Sequence, residues 1–384
     1  VTDLRGVEDR ALDLDHVFGP NGLVDVTQQV GASPRLTVVG SGNAGRGASG
    51  FWEAFLDGTA AITVGGVVAG GFGIEALKSL MTDEAAGRWW FFLGCAVGVA
   101  LVVLGFRLRG RARRRVRVGI VVTAMDARRG LARARQLDQQ AETFSRDTST
   151  VTLKTDVELS GDGSQDRHLV DLLADETLVA TMMAERLTPD AARINLIPTM
   201  PLNVAFWFGA RLGHTHAREV AVHAIRQADG APPYFPATSL RAVESNVTPL
   251  NVERLEAVDG GDPSKVALAL DLQGFGDQFT DQVLAACRQH RIGYLLRLRT
   301  FTPRLAEDGK TFNGVVEQTC HAWRTAALPA AARTGQHAIF LSGPVAIAVA
   351  LGARLAAPEK NKWTAFTFDT STSSYEPFPP PSAP

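Results

Sequence analysis

INLIPTMPLNVAFWFGARL, residues 194–212, returns as HAIFLSGPVAIAVALGARL, residues 337–355. Each opens on a short apolar run and enters Pro-x-x-x-Ala-x-x-x-Gly-Ala-Arg-Leu. In the first copy these are Pro201, Ala205, Gly209, Ala210, Arg211 and Leu212; in the second, Pro344, Ala348, Gly352, Ala353, Arg354 and Leu355. Apolar β-branched runs of this length suit buried strands. Proline suits the first turn of a helix, where its missing N–H has no partner to lose. Alanine and glycine four apart share one helix face and allow close packing.

The likeness extends outward in both directions. REVAVHAI (218–225) follows the first copy and KWTAFTF (362–368) the second, both as strands. RVGIVVTAMD (117–126) and KVALALDLQG (265–274) precede them, again as strands. One strand–helix plan is therefore used twice, near 117–227 and 265–370. Strands alternating with helices imply parallel sheets covered on both faces. In such sheets ligands sit beyond the carboxyl ends of the strands, and helix N-termini there favour phosphates. Within the first copy, 127–145 reads as a polar helix and 147–166 as an insert.

At this point the chain resembles a SAVED domain, the sensor module of the bacterial anti-phage systems called CBASS. The two quoted stretches carry the resemblance, with the closing FTFDTSTSSYEPF (366–378). It covers about 118–378 and implies two tandem CARF-like Rossmannoid units, about 118–230 and 264–378. It further implies a cyclic oligonucleotide made by a partner nucleotidyltransferase, a cyclic di- or trinucleotide being the ligand, with no cofactor. The implied response is ligand-induced homo-oligomerisation that switches on a fused effector.

Ahead of this region lie two uncharged apolar runs, 58–74 and 89–106. Each is near the lower length limit for a bilayer span. Trp89 and Trp90 open the second run, and seven arginines fall between Arg107 and Arg117. Arginine on a short flank holds that side in the cytoplasm. The reading is a transmembrane hairpin over 51–106, an arginine collar over 107–117, and a SAVED domain facing the cytoplasm. Gly66-x-x-x-Gly70 and Gly94-x-x-x-Gly98 would let helices approach closely.

Combined with the resemblance, the expected fold is an N-terminal two-helix transmembrane hairpin plus an α/β SAVED domain. The expected function is a multi-pass protein of the bacterial inner membrane, with the lipid bilayer as a partner, that disrupts the membrane on binding its signal. The alternative is a membrane-tethered enzyme acting on cyclic nucleotides. A passive membrane scaffold is the third reading.

The remaining chain adds little. Formal net charge is −1, so no global field draws DNA or RNA polymers. Cys95, Cys287 and Cys320 have no framework or zinc spacing and read as buried or lipid-facing thiols. Residues 1–50 are expected to form an N-terminal cytoplasmic region of unassigned role, opening on Val1 without the basic start of a secretory signal. There RLTVV leads into Gly40-Ser41-Gly42-Asn43-Ala44-Gly45. This matches G-x-G-x-x-G, but a dinucleotide site needs a second strand and an acidic residue about 20 positions on. The stretch reads instead as a glycine loop. The tail PFPPPSAP is proline-rich, and 379–384 reads as disordered.

Candidate ligand-binding residues are the strand ends. They are Thr123, Met125, Asp126, Pro198, Thr199 and Met200 in the first copy, and Gln273, Gly274, Phe275, Ser342 and Gly343 in the second. Arg297, with Arg299 beside it on one strand face, could meet phosphates, and Tyr375 could close the pocket. Phe275 could stack a base or pack in the core. Thr199 and Ser342 could bind phosphate or simply cap helices. His214-Thr215-His216 has no third metal ligand nearby. Ser342 lacks the G-x-S-x-G elbow of a nucleophile. The chain reads as a binding protein without catalytic residues.

Overall fold

VGIVVTAMD forms a strand buried along almost its whole length, β2 (Val118–Asp126). A continuous apolar run needs cover on both faces, and the chain supplies it with helices. In this computed structural model the described residues are 35–40, single positions between 63 and 74, 88–113, and 117–379 apart from 127, 129, 190, 227–231, 303 and 371. One compact unit takes in Val1–Ser41, Val118–Arg186 and Arg193–Pro384; the other takes in Gly42–Arg117 and Leu187–Ala192.

The larger unit holds both copies of the repeat. Its first half runs β1 (Arg35–Gly40), β2, α2 (Leu131–Thr148), β3 (Val151–Leu159), α3 (Gly163–Leu187), β4 (Arg193–Thr199), α4 (Leu202–Leu212), β5 (Glu219–Ile225) and β6 (Tyr234–Ser239). The label α1 is kept for Arg88–Arg113 of the other unit. The six-stranded sheet has the order β1-β3-β2-β4-β5-β6. Strands β3, β2, β4 and β5 are parallel, and β1 and β6 close the edges antiparallel.

The second half repeats the plan. It runs β7 (Leu250–Val252), β8 (Glu256–Ala257), β9 (Asp262–Asp271), α5 (Asp277–Gln289), β10 (Ile292–Thr300), α6 (Gly309–Thr325), α7 (Ala330–Thr334), β11 (Gln336–Ser342), α8 (Val345–Leu351), β12 (Trp363–Asp369) and β13 (Ser374–Phe378). Strands β10, β9, β11 and β12 are parallel, with β13 antiparallel beside β12 and β7 and β8 antiparallel beside β10. β9 answers to β2, β10 to β3, β11 to β4 and β12 to β5. In each half the leading strand of the repeat, β2 or β9, lies between its two successors, so the chain changes direction there.

Helices α4 and α8, both entered through the repeated proline, pack on each other. A Cβ built on Gly209 would lie 2.0 Å from the Val349 carbonyl oxygen, and one on Gly352 would lie 1.9 Å from that of Phe206. Phe206 and Val349 hold the same place in their copies. The two contacts are therefore one contact made twice, as a pseudo-twofold relation requires. Glycine is repeated because the backbones touch at that point. Trp207 reaches across to Phe378 at 6.3 Å and Phe206 to Trp363 at 5.5 Å. Hydrogen bonds from Thr238 Oγ1 to Asn313 Oδ1 (2.8 Å) and from Val243 N–H to Glu317 Oε1 (3.0 Å) also join the halves.

Several expectations change. Among the described residues no helix is long and apolar enough to cross a membrane. The transmembrane hairpin, the bilayer partner, the multi-pass inner-membrane placement and both membrane-bound functions are corrected accordingly. The apolar 89–106 run is not a separately bounded segment: its helix continues through Arg107, Arg109 and Arg111 to Arg113. Of the 58–74 run only single positions are described.

The supposed insert at 147–166 holds β3 at its centre, which pairs with β2 in register from Val118↔Val151 to Asp126↔Leu159. Alternation of Val, Thr, Lys and Glu hid it: Thr152 and Lys154 bond to α2, while Thr155 lies against Thr177 of α3. RLTVVG forms β1 on the outer edge of β3; the rest of the glycine motif lies outside the described residues. Cys287 and Cys320 are free and buried, and burial pushes their thiols up to about 12 and about 11.

Candidate functional site

At the end of β4 the chain leaves the sheet through Pro198 and Thr199, the latter paired with Thr123 of β2. Met200 is buried. Pro201 then stands one residue before α4 in extended conformation, and its carbonyl accepts the Ala205 N–H at 2.8 Å. The equivalent turn after β11 is Ser342-Gly343-Pro344. The turn after β9 is shaped by Asp271, a carboxylate only 4% exposed. It accepts the N–H groups of Gln273 (3.2 Å), Gly274 (2.9 Å) and Gly276 (2.7 Å). Gly274 and Gly276 have φ of 71° and 59°, a region that glycine enters without strain. The wound turn leaves Phe275 standing 54% exposed.

These turns border one cleft of about 610 Å³. Pro198, Thr199, Met200, Gln273, Phe275 and Gly343 line it, so the strand ends of both halves meet in one place. Arg133 and Leu137 of α2, His223 to Ile225 of β5, and Arg304, Leu305 and Glu307 from the loop after β10 complete the lining with Phe312 of α6. His223 Nε2 donates to Asn195 Oδ1 at 3.1 Å, while its ring lies 5.7 Å from Phe144. Tyr234, behind the wall, donates to the Leu137 carbonyl at 3.3 Å, and burial pushes its hydroxyl up to about 12. It stays protonated at neutral pH.

The charges of the cleft are uneven. Glu307 is paired with Arg226 at 3.6 Å, first half to second. Arg133 and Arg304 are exposed, and among the described residues neither has a carboxylate partner. The unpaired charge facing the cleft is positive.

The other candidate residues lie elsewhere or deeper. The Thr123 hydroxyl donates to Asp138 (2.7 Å), which also accepts from Lys154 (2.6 Å). Burial works against the charge on Lys154, but its bonds to Asp138 and Glu142 outweigh it and hold the ammonium above its ordinary range. Ser342 is buried, with its hydroxyl 3.4 Å from Gln273 Oε1, and Gly274 belongs to the Asp271 turn. Asp126 accepts the Arg128 N–H at 2.9 Å and borders a separate pocket of about 210 Å³, while Met125 is half-buried beside it.

Arg297 pairs with Glu253 (3.1 Å) and Glu256 (3.0 Å), and Arg299 pairs with Glu253 (3.2 Å). Tyr375 is buried against Phe340 (5.0 Å) and Phe368 (5.3 Å), which raises its hydroxyl well above its ordinary range. His214 and His216 bond the carbonyls of Ala353 (3.0 Å) and Gly213 (3.1 Å). Among the described residues no group of three or more His, Cys, Asp or Glu is placed to hold a metal.

Sequence reasoning missed Arg133, His223, Arg304 and Glu307. Arg133 is one of several arginines on a polar helix, and Arg304 sits in a loop without a motif. Only the meeting of the halves distinguishes them from surface charges.

No protein-family model matches the chain, and no curated protein sequence matches it. Among solved structures, the chain is similar to the Cap4 SAVED/CARF-domain containing receptor of Acinetobacter baumannii with the cyclic trinucleotide 2′3′3′-cAAA. The TM-score is 0.42 at 10% identity, over 76% of this chain and 58% of that one. With 3′3′3′-cAAA, the same receptor gives 0.42 at 11% identity, over 76% and 59%. The Cap4 receptor of Moraxella osloensis gives 0.33 at 10% identity, over 86% and 77%. The chain thus spans less than two thirds of the length of the Acinetobacter receptor.

Proposed function

We propose that this chain is a sensor of the SAVED type that binds a cyclic di- or trinucleotide in the cleft shared by its two halves, and that it acts by binding and not by catalysis. One observation carries the reading: the carboxyl-terminal strand ends of two duplicated α/β halves converge on a single cleft of about 610 Å³. That volume lies within the usual range for small-molecule sites. Carboxyl ends of strands at a point where the chain changes direction are where open α/β sheets take ligands.

The lining suits such a ligand. Leu137, Met200, Leu272 and Phe312 give apolar surface, and Phe275 offers an exposed ring on which a base can stack. Arg133 and Arg304 offer positive charge to phosphates. The titratable groups that a catalyst would use are already engaged: Glu307 with Arg226, and His223 with Asn195.

Isothermal titration of the full chain against a panel of cyclic di- and trinucleotides, with both linkages of cAAA included, tests the reading. The expected result is one preferred ligand, with binding lost when Met200→Trp fills the cleft. A folded chain that binds no member of the panel would overturn it.

A further inference from the structure

Strands β9 and β11 lie side by side, with Gln336 paired to Lys265 at one end and Ser342 to Asp271 at the other. The second end, with Leu272 and Gly343 just beyond it, opens on the cleft. The first end borders a separate pocket of about 250 Å³, lined by Lys265, Gln336, His337 and Thr364, with His290 from the end of α5. We infer that this pocket binds a small phosphate monoester or free phosphate, held at an ionised oxygen by Lys265 and at its P–OH by His337. The inference stands apart from whatever the cleft binds.

Charge selects an anion. No carboxylate belongs to the lining. The Lys265 ammonium lies 3.5 Å from the His290 carbonyl, at the outer limit of a hydrogen bond. Asp262, a carboxylate that feels Lys265, already accepts the Ser264 N–H and hydroxyl at 2.9 and 2.7 Å. Burial lowers both imidazoles below their ordinary range. They are neutral at neutral pH, and Lys265 supplies the charge of the pocket.

The imidazole selects a donor. His337 is 6% exposed, and its Nε2 lies 3.2 Å from the Ala332 carbonyl of α7. A carbonyl only accepts, so Nε2 carries the proton and Nδ1 keeps a lone pair. That Nδ1 is buried without a hydrogen-bond partner, and so is Nε2 of His290. Buried polar atoms are nearly always satisfied, by protein or by something bound. The ligand must therefore bring both a negative oxygen and a hydrogen-bond donor. A phosphate monoester does so near neutral pH, because its second pKa is about 6. A carboxylate and a phosphodiester carry no proton there. Ile292, Ala338 and Phe366 give the ester group an apolar wall.

Isothermal titrations of the full chain at about pH 6.5 with methyl phosphate, inorganic phosphate, dimethyl phosphate and acetate test this. The first two are expected to bind, and the last two at least about tenfold more weakly, as loss of one hydrogen bond to a charged group dictates. Lys265→Met keeps the half-buried stem and removes the charge. His337→Phe keeps a ring against Trp323 and Trp363 and removes the lone pair. Each is expected to weaken methyl phosphate about tenfold to a hundredfold, with circular dichroism checking the fold. Lys265→Met decides the question alone if His337→Phe does not fold.

No binding of either phosphate, equal affinity for dimethyl phosphate, or wild-type affinity in Lys265→Met overturns the assignment. Cyclic tri-AMP is the competitor that separates the two sites. Displacement of methyl phosphate by it would put the phosphate in the cleft and overturn the second site, whereas undiminished binding in its presence is the expected result.

Discussion

Phe275 and Gly209 show how differently single residues can act in this protein. Phe275 is 54% exposed on a turn that Asp271 holds from below. Removing its ring disturbs no core contact. Phe275→Ala is expected to leave thermal unfolding unchanged and to weaken nucleotide binding by roughly 1–3 kcal/mol, the worth of one stacked base; paired melts and titrations check both halves of that statement. Gly209 does not line the cleft, yet a Cβ there would stand 2.0 Å from a backbone oxygen of α8. Alanine normally gains about 1 kcal/mol over glycine inside a helix. Here the helices must separate instead, and Gly209→Ala is expected to destabilise by about 1–3 kcal/mol in urea titrations, as overpacking does. An unchanged midpoint would mean that the helices slide apart at no cost. Both glycines were visible in the sequence as a repeated position; that the repeat marks a contact between the copies was not.

Between elements, Arg354, just past α8, is tied to Glu317 of α6. The guanidinium, 6% exposed, bonds both carboxylate oxygens, Oε2 at 2.9 Å. Burial opposes the charge on Glu317, but hydrogen bonds from Arg354 and from the Val243 N–H outweigh it and hold the carboxyl below its ordinary 4.5. Arg354 belongs to the repeated Gly-Ala-Arg-Leu, and its counterpart Arg211 pairs on the surface with Asp175 at 2.9 Å. The same motif thus serves one buried and one exposed pair. Glu317→Ala strands a buried guanidinium and is expected to cost about 3–5 kcal/mol, whereas Asp175→Ala is expected to cost under about 1 kcal/mol; denaturant melts rank the two. Because the folded-state pKa of Glu317 is depressed, its stabilisation is full above pH 4.5 and is lost as pH falls through the lowered folded value. The stability gap between wild type and Glu317→Gln is therefore expected to narrow on the acid side of pH 4.5, measured by melts across pH. A gap independent of pH would remove the linkage.

For the whole molecule, a ligand held by both halves binds the assembled fold and not the unfolded chain. At one hundred times its Kd it should add about 2.7 kcal/mol of stability, seen as a rise in Tm that grows with the logarithm of ligand concentration. A cleft served by one half only would still shift Tm. The distinguishing result is that Met200→Trp, in the first half, and Gly343→Trp, in the second, each abolish the shift.

By itself the sequence determined the duplicated α/β plan. Strand and helix are written in local apolar periodicity and in proline placement, and a tandem copy makes each half evidence for the other. It also located the strand ends that carry Pro198 to Met200 and Gln273 to Phe275. Tertiary structure alone decided which of those ends share a cleft, that the insert was β3, and that Arg297 and Tyr375 were already committed to Glu253 and to the aromatic core. It alone brought Arg133 and Arg304, 171 positions apart, to one cavity. The reason is physical: an arginine's role depends on which carboxylates lie within reach, and reach is a property of the packed chain, not of neighbours in sequence.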